Sequence, residues 1–455
     1  MIGASVPAGR RLAGVAALGS GLLVAAAGSA GLALGISLLL ARHPPPPLFV
    51  VAVGVGLLGT LALALARYEA AVAVGFLLLA VVRFEPAPSD VILAVVIAVA
   101  CVTGRFAVDR VPRAALALIG TYLAINLLAS VEVEDASRAA TFLSVTLYLC
   151  VFAVWVASYV DSSRRARLLI RMYLTAALAS TVLAVAALLL AVPGREILTV
   201  GPRGTALFKD ANVFGPFLVP AALILVEELV TPRLLRSRRI VKFAMFVLLC
   251  VGVLFSYSRA AWLNLGVGVT IVLFVLLLRR GGAARALKLL LVLAFATAAL
   301  VATVAATESA EFLSERARFQ AYDTARFSAQ RSGLAVAEEY PLGIGPGQFE
   351  TFMPISAHSI YVRALAEGGV VGFATIVLLL LVTLYWAGRN VVRGRDTYGI
   401  GSAALLGIWC GLLANSVFID TVHWRHLWLF AALIWAGAAH DAASRRVAAS
   451  SPWHR

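Results

Sequence analysis

Charge is scarce in this chain. Only 13% of its 455 residues are Asp, Glu, Lys or Arg, and only three of the 38 basic ones are lysines, Lys209, Lys242 and Lys288. A soluble domain carries about twice that share of charge, so an ordinary soluble fold is excluded. Cysteine is scarce too. Cys101, Cys150, Cys250 and Cys410 lie singly inside apolar runs, which excludes a disulfide framework and any metal-ligand spacing. The sequence has no GxSxG elbow, no Walker loop and no dinucleotide fingerprint, so it offers no soluble nucleotide-sugar site. It also has no internal repeat, low-complexity linker or separate soluble domain.

What it has is hydrophobicity: 62% apolar residues and a mean hydropathy of +0.95. Apolar runs of about 17–25 residues recur from end to end, the length that crosses hydrocarbon at ~1.5 Å per residue. The expected fold is all-α, a polytopic transmembrane helical bundle of about twelve to fourteen spans. The runs lie near 13–41, 48–66, 69–83, 90–107, 113–129, 139–160, 168–192, 213–230, 241–256, 260–278, 287–306, 368–387, 400–419 and 426–440. The first follows Arg10 and Arg11 and far exceeds a signal-peptide core, so it reads as a retained helix. Pro44 to Pro47 form a stiff hinge after it. The expected division is N-terminal helices over 1–192, a catalytic membrane region over 193–440 and a cytoplasmic tail over 441–455.

The net charge of +15 does not mark a nucleic-acid partner. The basic residues sit in short clusters between apolar runs, which is a topology signal and suits an anionic leaflet. With both termini cytoplasmic, 25 of the 38 fall inside and 13 outside. Nine of the outer ones occupy three places: the loop 193–212, Arg259, and the long segment 308–367. Cations on the outside work against the topology signal, so this concentration points to an anionic ligand on the outer face. Glu132, Glu134 and Asp135 read as a solvated outer turn.

The first outer cluster is Gly201-Pro202-Arg203-Gly204-Thr205-Ala206-Leu207-Phe208-Lys209-Asp210-Ala211-Asn212. It sets two cations beside a helix start, a natural phosphate site, and equally the shape of an ordinary capped loop. The second is Phe255-Ser256-Tyr257-Ser258-Arg259-Ala260-Ala261-Trp262, a near-zero connection that puts Arg259 at the rim of the bilayer. Snorkelling with an aromatic anchor explains it as well as a pyrophosphate site does. The third is the one large extracytoplasmic loop, 308–367, with two short helices expected. Phe312, Leu313, Phe319, Tyr322 and Phe327 form an interfacial face for one. Thr324 to Glu339 form the other, stopped by Pro341. Gly343, Gly345 and Gly347 read as a tight turn more than a phosphate cradle. His358 begins the helix that leads into the next span and is the candidate general base, with Glu338, Glu339 and Glu367 as rivals. His423 and His426 read as interfacial.

Together the clusters resemble the O-antigen ligase and polymerase superfamily of bacterial membrane glycosyltransferases. Arg203 through Asn212 is similar to the family's Arg-x-x-G-x-F-x-x-x-N region, with Gly204 one place early. Ser256-Tyr257-Ser258-Arg259 matches its Ser-x-Ser-Arg motif. Tyr340-Pro341-Leu342-Gly343-Ile344-Gly345-Pro346-Gly347-Gln348-Phe349, then His358-Ser359-Ile360-Tyr361 and Glu367-Gly368-Gly369, resemble its Gly-x-Gly loop and His-Asn-x-Tyr…Glu-x-Gly helix. Ser359 departs from the usual Asn. The resemblance covers roughly residues 195 to 440.

It implies a GT-C-like, inverting transferase that needs no metal and no cofactor. The donor would be a glycan on undecaprenyl pyrophosphate, and the acceptor a hydroxyl on a glycan, lipid or polymer. The site would face out from the cytoplasmic membrane. Carried over, Arg259 is the catalytic cation and His358 the catalytic base. Arg203, Lys209, Asn212, Ser258, Arg326 and Tyr361 are expected to contact pyrophosphate or glycan. A ligase and a polymerase need the same donor chemistry. A cell-wall polymerase of the shape, elongation and division class is opposed by the Ser-x-Ser-Arg motif. A transporter or flippase is opposed by the few central charges and the missing inverted repeat.

Overall fold

The computed structural model describes residues 47–190, 192–279, 283–285, 287–291, 318 and 321–449. The expected first span, most of that near 287–306, and Phe312, Leu313 and Phe319 lie outside them. The chain is a helical membrane bundle with a single two-stranded sheet among the described residues. Among the described residues thirteen helices of ten residues or more organise it: α1 (Pro47–Ala66), α2 (Tyr68–Leu77), α3 (Pro88–Val102), α4 (Arg113–Leu128), α5 (Ala136–Tyr159), α6 (Ser163–Leu189), α7 (Ala211–Val230), α8 (Arg239–Phe255), α9 (Arg259–Leu278), α10 (Ala321–Glu339), α11 (Ile360–Val392), α12 (Ser402–Asn415) and α13 (Arg425–Ala449). Six helical segments of the described chain are long and apolar enough to cross a membrane: α5, α6, α7, α9, α11, and α4 with its continuation to Val131. The expected spans that fall on described residues all coincide with helices to within a few residues at most ends. The exceptions are α2, which ends six residues short of the expected 83, α11, which begins eight residues before the expected 368 because the last turns of the polar segment are already helical, and α13, which runs nine residues past the expected 440.

Side-chain caps set several helix starts. Asp135, Asp210, Ser258 and Ser359 each accept a bond from a backbone N–H in the first turn of α5, α7, α9 and α11, satisfying donors that have no intrahelical partner. Asn212 was the residue placed at the α7 start by sequence; Asp210 is the cap.

The centre is α7, the most buried span, carrying Pro216 and Pro220. Beside them the Tyr173 hydroxyl donates to the Phe217 carbonyl at 2.7 Å, the kind of neighbour that lets a membrane helix hold proline. α9 and α12 pack closely against each other. Small residues allow it: a Cβ on Gly407 would lie 2.7 Å from the Gly268 carbonyl, and one on Gly411 would lie 2.7 Å from the Asn264 carbonyl. This is close packing of the GxxxG kind.

The non-outer ends of these helices are tied by charge. Lys242 is paired with Glu228 at 2.7 Å, both buried, and Glu227 takes Arg279 at 2.7 Å and the Ala404 N–H at 2.6 Å.

Candidate functional site

Arg203 is presented by a hairpin. Thr199–Val200 pairs antiparallel with Arg203–Gly204, turning through Gly201 at φ +59°. The hairpin lies on α6, and a Cβ on Gly204 would meet Ala184 at 3.1 Å. From there the Arg203 guanidinium donates through Nε to the Ser256 carbonyl at 3.0 Å and through Nη2 to Asn212 Oδ1 at 2.9 Å. Asn212 Nδ2 in turn donates to Asp210 Oδ2 at 3.2 Å. The first and second sequence clusters are thus joined by direct hydrogen bonds.

Residues 256–258 form a buried turn in which both serines are consumed. Ser256 Oγ donates to the Val253 carbonyl at 2.7 Å and accepts from the Ser258 N–H at 3.2 Å. Tyr257 adopts φ +48°, a left-handed conformation that costs a non-glycine residue energy. Ser258 is fully buried and caps α9. The first residue after this turn, Arg259, projects outward. It pairs with Asp323 and donates Nη1 to the Arg318 carbonyl at 3.0 Å.

Asp323, Arg326 and Gln330 follow at i, i+3 and i+7 on α10, and so share one face. Asp323 holds Arg259. Gln330 Nε2 donates to the His358 carbonyl at 3.2 Å and to the Val417 carbonyl at 3.4 Å. His358 itself has φ +46°, an uncommon conformation for that side chain. Burial, and then the charge of Arg326, hold its imidazole below the usual range, against the opposing pull of Asp210 and Asp420. At neutral pH this histidine is uncharged and can accept a proton.

Hydrogen bonds and an ion pair run from Asp210 through Asn212 and Arg203 to the 256–259 turn and on to Asp323, and the charges of Arg326 and Asp210 act on His358. The ring of groups so linked, partly by hydrogen bonds and partly by charge alone, includes four predicted residues besides His358: Arg203, Asn212, Arg259 and Arg326. Three others are engaged elsewhere. Lys209 is paired with Glu85 at 2.6 Å in a half-exposed contact with the N-terminal part of the chain. The Tyr361 hydroxyl donates to the Leu413 carbonyl at 3.2 Å, tying α11 to α12. Ser258 is buried as a cap.

Behind His358 lies an ion cluster that sequence reasoning missed. Arg363 bonds Glu367 at 2.6 Å, pairs also with Glu350 and Asp420, and donates to Ser356 at 3.0 Å. Arg363 and Glu367 are almost wholly buried. Arg363 is one of the nine outer cations, so that part of the excess is spent inside the protein. Glu367 also accepts from the Gly347 and Phe349 N–H groups at 2.9 and 3.1 Å. It is a structural carboxylate clamped on the glycine loop, and the rival-base reading does not fit it.

The glycine loop and the α11 break interlock. Gly343, Gly345, Gly347 and Gly369 all have positive φ, from +63° to +95°. Ile344 and Gly345 donate to the Ala366 and Glu367 carbonyls at 2.9 and 3.0 Å, and Val370 donates to Pro341 at 3.2 Å. A Cβ on Gly343 would lie 2.3 Å from the Glu367 carbonyl, and one on Gly369 2.2 Å from that of Pro341. The loop is a tight turn docked on a broken helix. It also reaches α5: Gln348 accepts from the Asp135 N–H at 2.9 Å and donates to its carbonyl at 3.1 Å. The acidic outer turn read as merely solvated is a seat for this loop.

His423 and His426 are not interfacial. His423 contacts Thr146 Oγ1 at 3.0 Å and stacks on Phe142, and burial pushes its pKa down to about 4. His426 is 3% exposed and packs edge-on to Phe217.

A family model described as O-antigen ligase matches residues 244–377. That stretch holds the 256–259 turn, α10, the glycine loop, His358 and the Arg363 cluster except Asp420. Comparison with curated proteins finds no match.

Proposed function

We propose, supported by the O-antigen ligase family model that matches residues 244–377, that this chain moves a glycan from undecaprenyl pyrophosphate to an acceptor hydroxyl. The transfer takes place at the outer face of the cytoplasmic membrane. The match supports a membrane glycosyltransferase of ligase or polymerase type. The observation that supports the finer reading is that Arg203 is joined to the 256–259 turn, and Arg259 through Asp323 to the helix whose Arg326 charge helps hold the His358 imidazole below its usual range.

The chemistry follows from those groups. The acceptor oxygen attacks the anomeric carbon while the bond from that carbon to the pyrophosphate oxygen breaks. The bonding pair leaves with the diphosphate, where Arg259 and Arg203 neutralise the added charge. Fixed donors aimed at developing charge stabilise the transition state without reorganising. His358 takes the acceptor proton as the new bond forms. A single displacement of this kind inverts the anomeric centre. Pyrophosphate is a good leaving group, so a base and fixed cations suffice for the step. Arg326 has a second effect: its charge helps keep the imidazole deprotonated.

The location is supported by arrangement. Arg259 starts a span directly after a buried turn, so a polyprenyl tail can stay in lipid while its diphosphate reaches the cation. The polar glycan then remains outside. The test is transfer from a defined undecaprenyl-pyrophosphate glycan by purified protein. Loss of product in Arg259→Ala and His358→Ala, with unchanged folding, supports the reading, and full activity in both defeats it.

A further inference from the structure

The helix ends opposite the ring carry a second concentration of arginine that the transfer chemistry does not use. Arg67, Tyr68, Glu69, Ala70, Arg105, Arg164 and Arg165 line a cavity of about 500 Å³. Its depth relative to the ring is fixed by α5. The Asp135 end of that helix meets Gln348 of the glycine loop, and its Tyr159 end lies under Arg165, whose guanidinium is 4.8 Å from the ring centroid. Twenty-four helical residues separate the two ends, about 36 Å of rise, which is one bilayer.

The cavity has four guanidinium groups and one carboxylate. Glu69 answers two of them, bonding Arg164 at 2.5 Å and lying 4.0 Å from Arg165. Arg165 is also satisfied by Asp161 at 2.9 Å. Arg67 has no ion pair among the described residues, and Arg105 has only the face of Tyr68, 4.8 Å from the ring centroid. The local balance is strongly positive, and among the described residues two of its cations have no ion pair. Beside it, α1 presents Leu58, Leu61 and Leu65 at 68%, 40% and 61% exposure, a stripe at helical spacing that runs down to Arg67. Val102, at 78%, flanks Arg105. Exposed leucines leading into an arginine-lined recess fit a molecule with an apolar tail and an anionic head.

We propose that this recess binds the phosphate of an anionic glycerophospholipid from the leaflet opposite the ring, with Arg67 and Arg105 as its ligands and the α1 stripe against its acyl chains. Under the positive-inside rule that leaflet is the cytoplasmic one, where anionic head groups attract such clusters. A soluble phosphate compound would satisfy the guanidinium groups but would make no use of the adjacent apolar stripe.

Native mass spectrometry of the full chain in detergent tests this, with phosphatidylglycerol, phosphatidylcholine and inorganic phosphate as probes. Wild type is expected to retain phosphatidylglycerol in preference to phosphatidylcholine. Arg67→Gln/Arg105→Gln is expected to bind phosphatidylglycerol about thirtyfold more weakly, ~fivefold per arginine removed. Arg67→Lys/Arg105→Lys should keep most of the preference, and excess phosphate should not displace the lipid. Both residues are exposed, so the variants should melt like wild type. If the glutamine variant does not fold, the wild-type preference and the lysine variant decide. Equal retention of the two lipids, or no loss in a folded glutamine variant, overturns the proposal. Displacement of phosphatidylglycerol by phosphate overturns it in favour of a soluble anion. None of these outcomes depends on the transfer reaction.

Discussion

Asp323, buried on α10, is paired with Arg259 at the head of α9. The guanidinium that follows the 256–258 turn is thereby aimed by the outer segment of the chain. The pairing also makes Arg259 sensitive to two kinds of change. Arg259→Ala is expected to lower kcat by about 10²–10³, the usual cost of one transition-state donor. Asp323→Asn keeps the cation and loosens its aim, so its kcat should fall between the two. Single-turnover rates on a defined donor separate these variants. Asp323→Asn as damaging as Arg259→Ala would mean that the carboxylate itself acts in the chemistry.

The acid limb of the pH–rate profile should report His358, which must be neutral to act. Its pKa is held low, so activity should persist below the ordinary histidine range and be lost as pH falls further. Arg326→Gln removes one of the charges that depress it. The pKa then rises, and the acid limb of kcat/KM moves to higher pH. Asp210→Asn removes a charge that raises it and should move the limb the other way. A profile that does not move in either variant would leave His358 without the role of base.

Arg363→Ala should be destabilising before it is anything else. It strands the carboxylates of Glu350, Glu367 and Asp420. Removing one partner of a buried ion cluster costs about 3–5 kcal/mol. Thermal unfolding in detergent should show the drop, and Glu350→Gln, at the more exposed edge, a smaller one. An unchanged melting temperature for Arg363→Ala would contradict the structural role given to it.

Gly369→Ala tests the interlock between the broken helix and the glycine loop. The added methyl would sit 2.2 Å from the Pro341 carbonyl, at a φ of +63°. With ψ at −168° this is a backbone conformation essentially confined to glycine, costing another residue about 1–3 kcal/mol, and the clash adds to it. Lower stability and loss of transfer are expected together. Gly388, with open space around its Cβ position, should tolerate the same change.

Most of the bundle was legible because a bilayer leaves few choices. Apolar length set the helices, but the caps were not read correctly: Asn212 stood at the expected start of α7, where Asp210 is the cap. The outward arginines were legible as an anomaly, but their division was not. Arg203 and Arg259 join the ring, Arg363 is buried among carboxylates, and Lys209 pairs with Glu85. Only the packing of distant helices decides which is which. Asp323 and Gln330 were visible as polar positions at i and i+7 with Arg326 between them. Their targets, Arg259 and the His358 carbonyl, come from other elements, so spacing along one helix could not reveal them.

The most direct measurement is transfer by the purified protein from an undecaprenyl-pyrophosphate glycan to an acceptor hydroxyl. Product and released undecaprenyl pyrophosphate would be quantified together for wild type, Arg259→Ala, His358→Ala and Lys209→Ala. Equal amounts of both from wild type and from Lys209→Ala, with neither from the other two, are the expected result. Wild-type rates in folded Arg259→Ala and His358→Ala, or activity lost only with Lys209→Ala, would contradict the assignment of the ring as the site of transfer.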